Sequence, residues 1–519
     1  MKKTWVTVLA TTALTFSVGA SYATPSFAAK SDAQSQTTAP ALDNAFTAAA
    51  KEFKVPKDLL MAISYAESRW QVPAETVADD DHAHGKGLMH LTDNSFKKNL
   101  SDTAKGLGIT AKQLEDNAGL NIRGGAYLLA KAQHELGKPL SDNVNDWYEA
   151  VASFEGASDK SDKVLFADEV YRILKDGTSL AIDGGTLSIF PNKTVAPVKG
   201  QLSDVTYGVT TNPSATPDYS GAIWNAASTS NYQVASRPTS NPITYVVIHD
   251  TEGSYSGTIN WFKDPSAQVS AHYVVRSSDG QITQMVQDKD IAWHARTFNT
   301  NGIGIEHEGY EAQTGWYTDA MYTQSAALTR AICQKYGIPM DRDHILGHSE
   351  LWGNDHTDPG VNWDWNKYMT KVTGVSKNWT VVDVDDKDTA SGAFTMYGAS
   401  QYWHPVSGYG VHNEINYTNG NGATIYNYAI WKPTIPVAGN YEVKVFVPSN
   451  YAGTTSAKYE IHYNGGVVTK TVSQSAYSNQ WVSLGTYNFA TGTGGYVKLG
   501  DNTGDTNTIA FDTIRFMGQ

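Results

Sequence analysis

The sequence predicts a multidomain protein in which an all-α domain is followed by an α/β domain and then by an all-β sandwich. At 519 residues the chain is long enough for about three domains. An apolar face at helical spacing follows Pro56, a β-branched run spans Ile243 to His249, and strict alternation marks Tyr441–Val445 and Tyr459–Tyr463. These patterns differ in period, so each asks for a different way of burying its apolar side chains.

Residues 1–28 open with Lys2 and Lys3, continue through an apolar run from Val6 to Val18, and end at Ser26-Phe27-Ala28. That is the pattern of a secretory signal and predicts a secreted, cell-wall-associated protein. Removing the two lysines takes the net charge from -13 to -15, which disfavours nucleic acid and anionic membrane surfaces as partners. No later run is long and apolar enough to span a bilayer. Residues 29–40 are rich in Ser, Gln and Thr and read as disordered. The single cysteine, Cys333, cannot form an internal disulfide, and reads as a buried apolar residue in a helix closed by Gly337. Stability must then come from packing and a metal.

From 41 to 182 the pattern is helical. Leu59, Leu60, Ile63 and Ala66 mark one apolar face, and Glu67 arrives near the end of that helix. Residues 183–216, with Pro191, Pro197 and Pro213 among Ser, Thr, Gly and Val, read as a semi-extended linker that would tether two units near one target.

The segment 217–375 carries the densest chemistry. Ile243–His249 suits a strand buried on both faces and ends on an imidazole. Gly347-His348-Ser349-Glu350 and His356-Thr357-Asp358 supply further candidate ligands, and Gly302-Ile303-Gly304-Ile305-Glu306 reads as another strand. His249, His348 and Asp358 make the two-imidazole, one-carboxylate set of a catalytic zinc site with one position open.

The order His249-Asp250-Thr251, Ser270-Ala271-His272-Tyr273, Trp293-His294-Ala295, Gly302 to Glu306 and Gly347-His348 to Asp358-Pro359-Gly360 resembles the zinc-dependent N-acetylmuramoyl-L-alanine amidases related to peptidoglycan recognition proteins. The resemblance implies a mixed central sheet and hydrolysis of the amide between N-acetylmuramic acid and L-alanine in peptidoglycan. It assigns His249, His348 and Asp358 to zinc and Glu306 to the general base or the carboxylate behind the ligands. His356 stands where many relatives have lysine. Its unperturbed pKa of about 6.5 implies that oxyanion stabilisation would weaken as the histidine loses its proton. Trp293 and His294 read as lining the substrate groove, with His272 as a further substrate-side residue; a structural role is the alternative for both histidines.

Residues 41–182 resemble the lysozyme-like soluble lytic transglycosylases through Glu67-Ser68, Gly87-Leu88-Met89-His90, the Gly124-Gly125-Ala126-Tyr127 helix and Ala152-Ser153-Phe154-Glu155-Gly156. That resemblance makes Glu67 the acid and base of glycan cleavage. His90 replaces the family's glutamine and Phe154-Glu155 its Tyr-Asn, which alters the expected glycan contacts. In residues 381–519, Ala429-Ile430-Trp431, Pro436-Val437-Ala438-Gly439-Asn440-Tyr441, Val472-Ser473-Gln474-Ser475, Trp481-Val482-Ser483-Leu484-Gly485 and Phe511-Asp512-Thr513-Ile514-Arg515-Phe516 resemble the golvesin and xanthan lyase carbohydrate-binding-like domains, with Trp403, Trp431 and Trp481 as candidate sugar platforms or core. Three functions remain open at this level: a zinc amidase, a glycan-cleaving enzyme working through Glu67, and a non-catalytic wall-binding protein. Oligomeric state is not legible.

Overall fold

The computed structural model describes residues 37–72, 85–157, 159–208, 216–353 and 355–519. The expected signal segment, most of the expected disordered stretch, and the acidic run Asp79-Asp80-Asp81-His82 lie outside them.

Among the described residues, seven α-helices build the first domain: α1 Ala39–Phe53, α2 Lys57–Ser68, α3 Asn99–Leu107, α4 Ala111–Asp116, α5 Ala118–Glu135, α6 Tyr148–Ala152 and α7 Lys160–Asp176. Helix α1 begins inside the stretch expected to be disordered, because Pro40 starts it and Leu42 and Phe46 are buried in the core with Leu59, Ile63, Ile122 and Trp147. The expected linker is also corrected over residues 183–208. Strands β1 Thr178–Ile182 and β2 Gly185–Ile189 form an antiparallel hairpin, and Leu187, Ile189, Val195 and Leu202 pack into the helical core. Backbone N–H groups of Ala196 and Val198 donate to Asn145, so proline content marked a packed return segment rather than a free tether.

The central domain contains β3 Ala222–Trp224, β4 Tyr232–Gln233, β5 Tyr245–Asp250, α8 Tyr255–Lys263, β6 Tyr273–Val275, β7 Ile282–Gln284, β8 Ile291–Ala292, β9 Gly302–His307, α9 Asp319–Tyr336, β10 Ile345–Gly347 and α10 Trp365–Thr373. Its six-stranded sheet has the order β10-β5-β9-β6-β7-β3 and is mixed: only the β6–β7 pair is antiparallel. Strands β5 and β9 are almost wholly buried, as their β-branched and glycine-rich sequences require. Helix α9 buries Cys333 and ends at Gly337 in the left-handed region.

Residues 381–518 form sheets of four, five and three strands around Trp431, Tyr441, Tyr459 and Phe511. Lys444 reaches Asp343 at 2.7 Å and Arg515 donates to the Glu350 carbonyl, which fixes this sandwich against the central domain next to β10. Among the described residues no helix is long and apolar enough to cross a membrane.

Candidate active site

Parallel pairing of β5 with β9 sets His249 directly opposite Glu306, at the ends of two central strands. The third element is β10, which pairs with β5 and hands the chain to His348 one residue after its last strand position. Close packing fixes that exit: a Cβ on Gly347 would come 2.9 Å from the Pro359 ring. The returning loop then brings Asp358 back, with the Ser349 N–H donating to the Asp358 carbonyl at 3.0 Å.

His249 Nδ1 lies 3.1 Å from Asp358 Oδ2, and His348 Nδ1 lies 3.0 Å from Asp358 Oδ1. Their potential ligand atoms fall within 4.8 Å of one another, and all three residues are buried. Nitrogen and oxygen ligands about 2.0–2.1 Å from a tetrahedral zinc sit roughly 3.3 Å apart along an edge, so this crowding is what an ion at their centre requires. The chemistry of the set, two imidazoles and one carboxylate, fits the same group. Burial foremost, with His348 beside it, lowers His249 to about 4, so its imidazole is neutral and keeps a lone pair for a metal. Despite its burial, the neighbouring His348 holds Asp358 well below the usual carboxylate range.

A pocket of about 240 Å³ opens on this cluster. His249, His348, Glu306, His294, Trp293 and Phe262 line it. Trp293 is half-buried there, with its apolar ring at the pocket. His356 stacks on His348 with ring centroids 3.9 Å apart, which puts it beside the ligand cluster.

His294 does more than line the groove. Its Nδ1 lies 3.0 Å from His249 Nε2; in the tautomer that leaves His249 Nδ1 with a lone pair for a metal, His249 Nε2–H donates a hydrogen bond to it. Gly304 makes this possible, since a Cβ there would fall 2.6 Å from the His294 ring. His272 departs from the expected role. It is fully buried, does not line the pocket, and accepts the Gly304 N–H at Nδ1 while its Nε2 faces the Asp290 carbonyl and the Arg237 guanidinium. It is a framework residue of the β6–β9 seam.

Arg237 escaped the sequence reading altogether. Buried, it donates to the carbonyls of Asn299, Thr300, Gly302, Asp288 and Asp290, and so staples the segment that presents His294. An arginine beside a proline carries no local signal for such a role.

Glu67 lies elsewhere, in a second pocket of about 440 Å³ between the helical and central domains, shared with His90, Glu155 and Trp261. It is 1% exposed. Ser254, the residue capping α8 of the central domain, donates to Glu67 Oε2 at 2.9 Å, and the Tyr310 hydroxyl donates to the Glu67 carbonyl. Ser256 and Asn260 of the same helix donate to Glu155. Burial, then the Glu155 charge, pushes Glu67 well above the ordinary glutamate range. Helix α8 is thus a shared wall, giving Phe262 to one pocket and Trp261 to the other.

Residues 239–361 match the N-acetylmuramoyl-L-alanine amidase family model, residues 44–165 the transglycosylase SLT domain, and residues 382–518 the golvesin C-terminal domain. N-acetylmuramoyl-L-alanine amidase A of Achromobacter lyticus is 44% identical over 178 residues, covering 31% of this chain and 98% of that protein. The chain belongs to the N-acetylmuramoyl-L-alanine amidase family. The 1,6-anhydro-N-acetylmuramyl-L-alanine amidase AmpD of Salmonella typhimurium is 39% identical over 113 residues, covering 20% of this chain and 58% of AmpD. Of solved structures, a selenomethionine derivative of AmpD is 28% identical with a TM-score of 0.26, over 31% of this chain and all of that one. A Paenibacillus xanthan lyase matches at 23% identity and a TM-score of 0.23, over 27% of this chain and 13% of that chain. The amidase family model falls on the central domain, between the regions matched by the other two models.

Proposed function

We propose that this protein is a secreted, zinc-dependent hydrolase of peptidoglycan that cleaves the amide between N-acetylmuramic acid and L-alanine. The observation that carries the reading is the convergence of His249, His348 and Asp358 on one point, with Glu306 and Trp293 on the same pocket.

His249, His348 and Asp358 would hold the zinc. Bound there, it would polarise the scissile carbonyl and lower the pKa of water to about 7. Glu306 takes the proton from the attacking water and passes it to the leaving L-alanine nitrogen. His356, beside His348, donates a hydrogen bond to the oxygen that gains charge as the amide carbon becomes tetrahedral. His294 keeps the proton of His249 on Nε2. Trp293 holds an apolar sugar or peptide face at the rim. The flanking domains position this site on the wall: the sandwich and the helical domain are both fixed to the amidase domain by direct contacts.

Glycan cleavage through Glu67 is the second reading: that carboxyl lines its own pocket and is pushed well above the ordinary glutamate range, foremost by burial, while Ser254 of α8 engages one of its oxygens. Mass spectrometry of peptidoglycan digested with wild type, His249→Ala and Glu67→Gln separates the readings. New peptide amino termini on intact glycan are expected from wild type and Glu67→Gln and not from His249→Ala. Anhydromuramyl ends from wild type that vanish in Glu67→Gln would overturn the assignment.

A further inference from the structure

Three acidic residues in the sandwich take no part in amide hydrolysis, yet they form the second cluster among the described residues with the spacing of metal ligands. Asp385 and Asp386 follow the strand Val381–Val384, and Asp512 precedes the strand Ile514–Gly518. Antiparallel pairing of Val384 with Ile514 brings the two strand ends together, and the three carboxylates fall within 4.8 Å of one another. Their exposures are 5%, 2% and 1%.

Most of their oxygens are satisfied. Asp385 Oδ2 accepts from the Thr513 hydroxyl at 2.5 Å and from His412 Nδ1 at 2.9 Å, and Asp385 Oδ1 accepts from the Lys387 N–H. Asp386 Oδ2 accepts from the Asn416 amide, and Asp512 Oδ1 from the N–H groups of Thr513 and Val411. Two oxygens are left, Asp386 Oδ1 and Asp512 Oδ2. Both are buried and neither accepts a hydrogen bond. The nearby cations are engaged elsewhere: Arg515 pairs with Asp383, and the Lys387 ammonium donates to the His412 carbonyl. One imidazole therefore faces three buried carboxylates.

Buried ionised carboxylates without a counter-charge are too costly to keep, so a cation or protons must complete this cluster. The donor set is all oxygen, which suits hard cations and not zinc. The carboxylates are no more than 5% exposed, which suits calcium, held by several protein oxygens, over magnesium, which dehydrates reluctantly and keeps most of its waters. We propose that Asp385, Asp386 and Asp512 form a structural divalent-cation site of the calcium class, with Asp386 Oδ1 and Asp512 Oδ2 as two of its ligands. The same loop reaches the amidase domain, because the Val411 carbonyl accepts the Gly353 N–H at 2.7 Å, on the connection between His348 and Asp358. Cation binding here would tie the sandwich loop to the segment that returns the last zinc ligand.

The rival completion is protonation. Burial, and then Asp385, pushes Asp386 up to about 9, so without a cation that carboxyl holds a proton at neutral pH. Full-length wild type, stripped with EGTA and then loaded with zinc alone, is titrated with calcium chloride by calorimetry and by thermal melting. One binding event and a rise in Tm of roughly 5 °C or more at calcium well above Kd are expected, both lost in Asp386→Asn/Asp512→Asn. Terbium on the wild-type chain gives a readout that does not depend on the variant folding: luminescence sensitised by Trp431, whose indole N–H donates to the Asp512 carbonyl, and displaced by calcium. Absence of calcium heat and of terbium luminescence in wild type overturns the proposal, as does an undiminished calcium response in the double variant.

Discussion

Both ring nitrogens of His249 are committed, one toward Asp358 and one toward His294, and this decides how the residue can act. A proton on Nε2 is held by His294, whose own imidazolium is kept well below the ordinary histidine range, mainly by burial, so it stays an acceptor. Removing that acceptor frees the His249 ring to rotate and to exchange tautomers. His294→Ala should therefore weaken zinc affinity about 10- to 100-fold, measured by competition with a chromogenic chelator. An unchanged zinc Kd would show that His294 serves the groove alone. His356→Lys is a second test at this scale. If the His356 proton supports the oxyanion, lysine extends activity to higher pH, and coincident alkaline limbs of the two pH–rate profiles would exclude that role.

At the scale of the element, α8 carries more than its length suggests. Ser254 caps its first turn through the Gly257 N–H, and Glu308, just beyond β9, accepts the N–H groups of Tyr255 and Ser277. The carboxylate anchors the start of the helix that walls both pockets. Glu308→Ala leaves those buried donors unpaired, and a loss of about 2–3 kcal/mol is expected in urea unfolding followed by tryptophan fluorescence. A loss under about 0.5 kcal/mol would mean that water reaches the helix start, and that the wall is looser than its packing indicates.

For the whole molecule, the interface between the helical and amidase domains stores a pH response. Buried Glu155 is raised to about 8 and faces Ser254, Ser256 and Asn260 across that interface. The folded carboxyl keeps its proton up to about pH 8, whereas the unfolded chain releases it near 4.5. The native state binds more protons between those values, so stability falls as pH rises through that window and levels off above it. Melting curves from pH 5 to 8 should show Tm declining, with a shallower slope in Glu155→Gln, which keeps the shape and one acceptor. Equal slopes in the two proteins would assign the decline to other groups. The interface further includes Arg69, whose guanidinium lies 3.9 Å over the Trp316 ring and donates to Ser277, and Lys263, which pairs with Asp162. These contacts make the two domains one body about Glu67.

The sequence by itself determined the helical, mixed-sheet and all-β regions, the strand that carries His249, and the family. Those features rest on local periodicity and on residue types whose chemistry has few uses. Trp431 shows the limit, since its ring is fully buried and only the fold removes it from the sugar-binding candidates. The same holds for His272, which a motif places beside the site and packing turns into framework. Long-range geometry alone decided that Ser254 would cover Glu67 from 187 residues away, that residues 183–208 would pack rather than swing, and that Asp512 would meet Asp385. Contacts of that kind depend on how separate elements close on one another, and no window of neighbouring residues contains the energy that selects them.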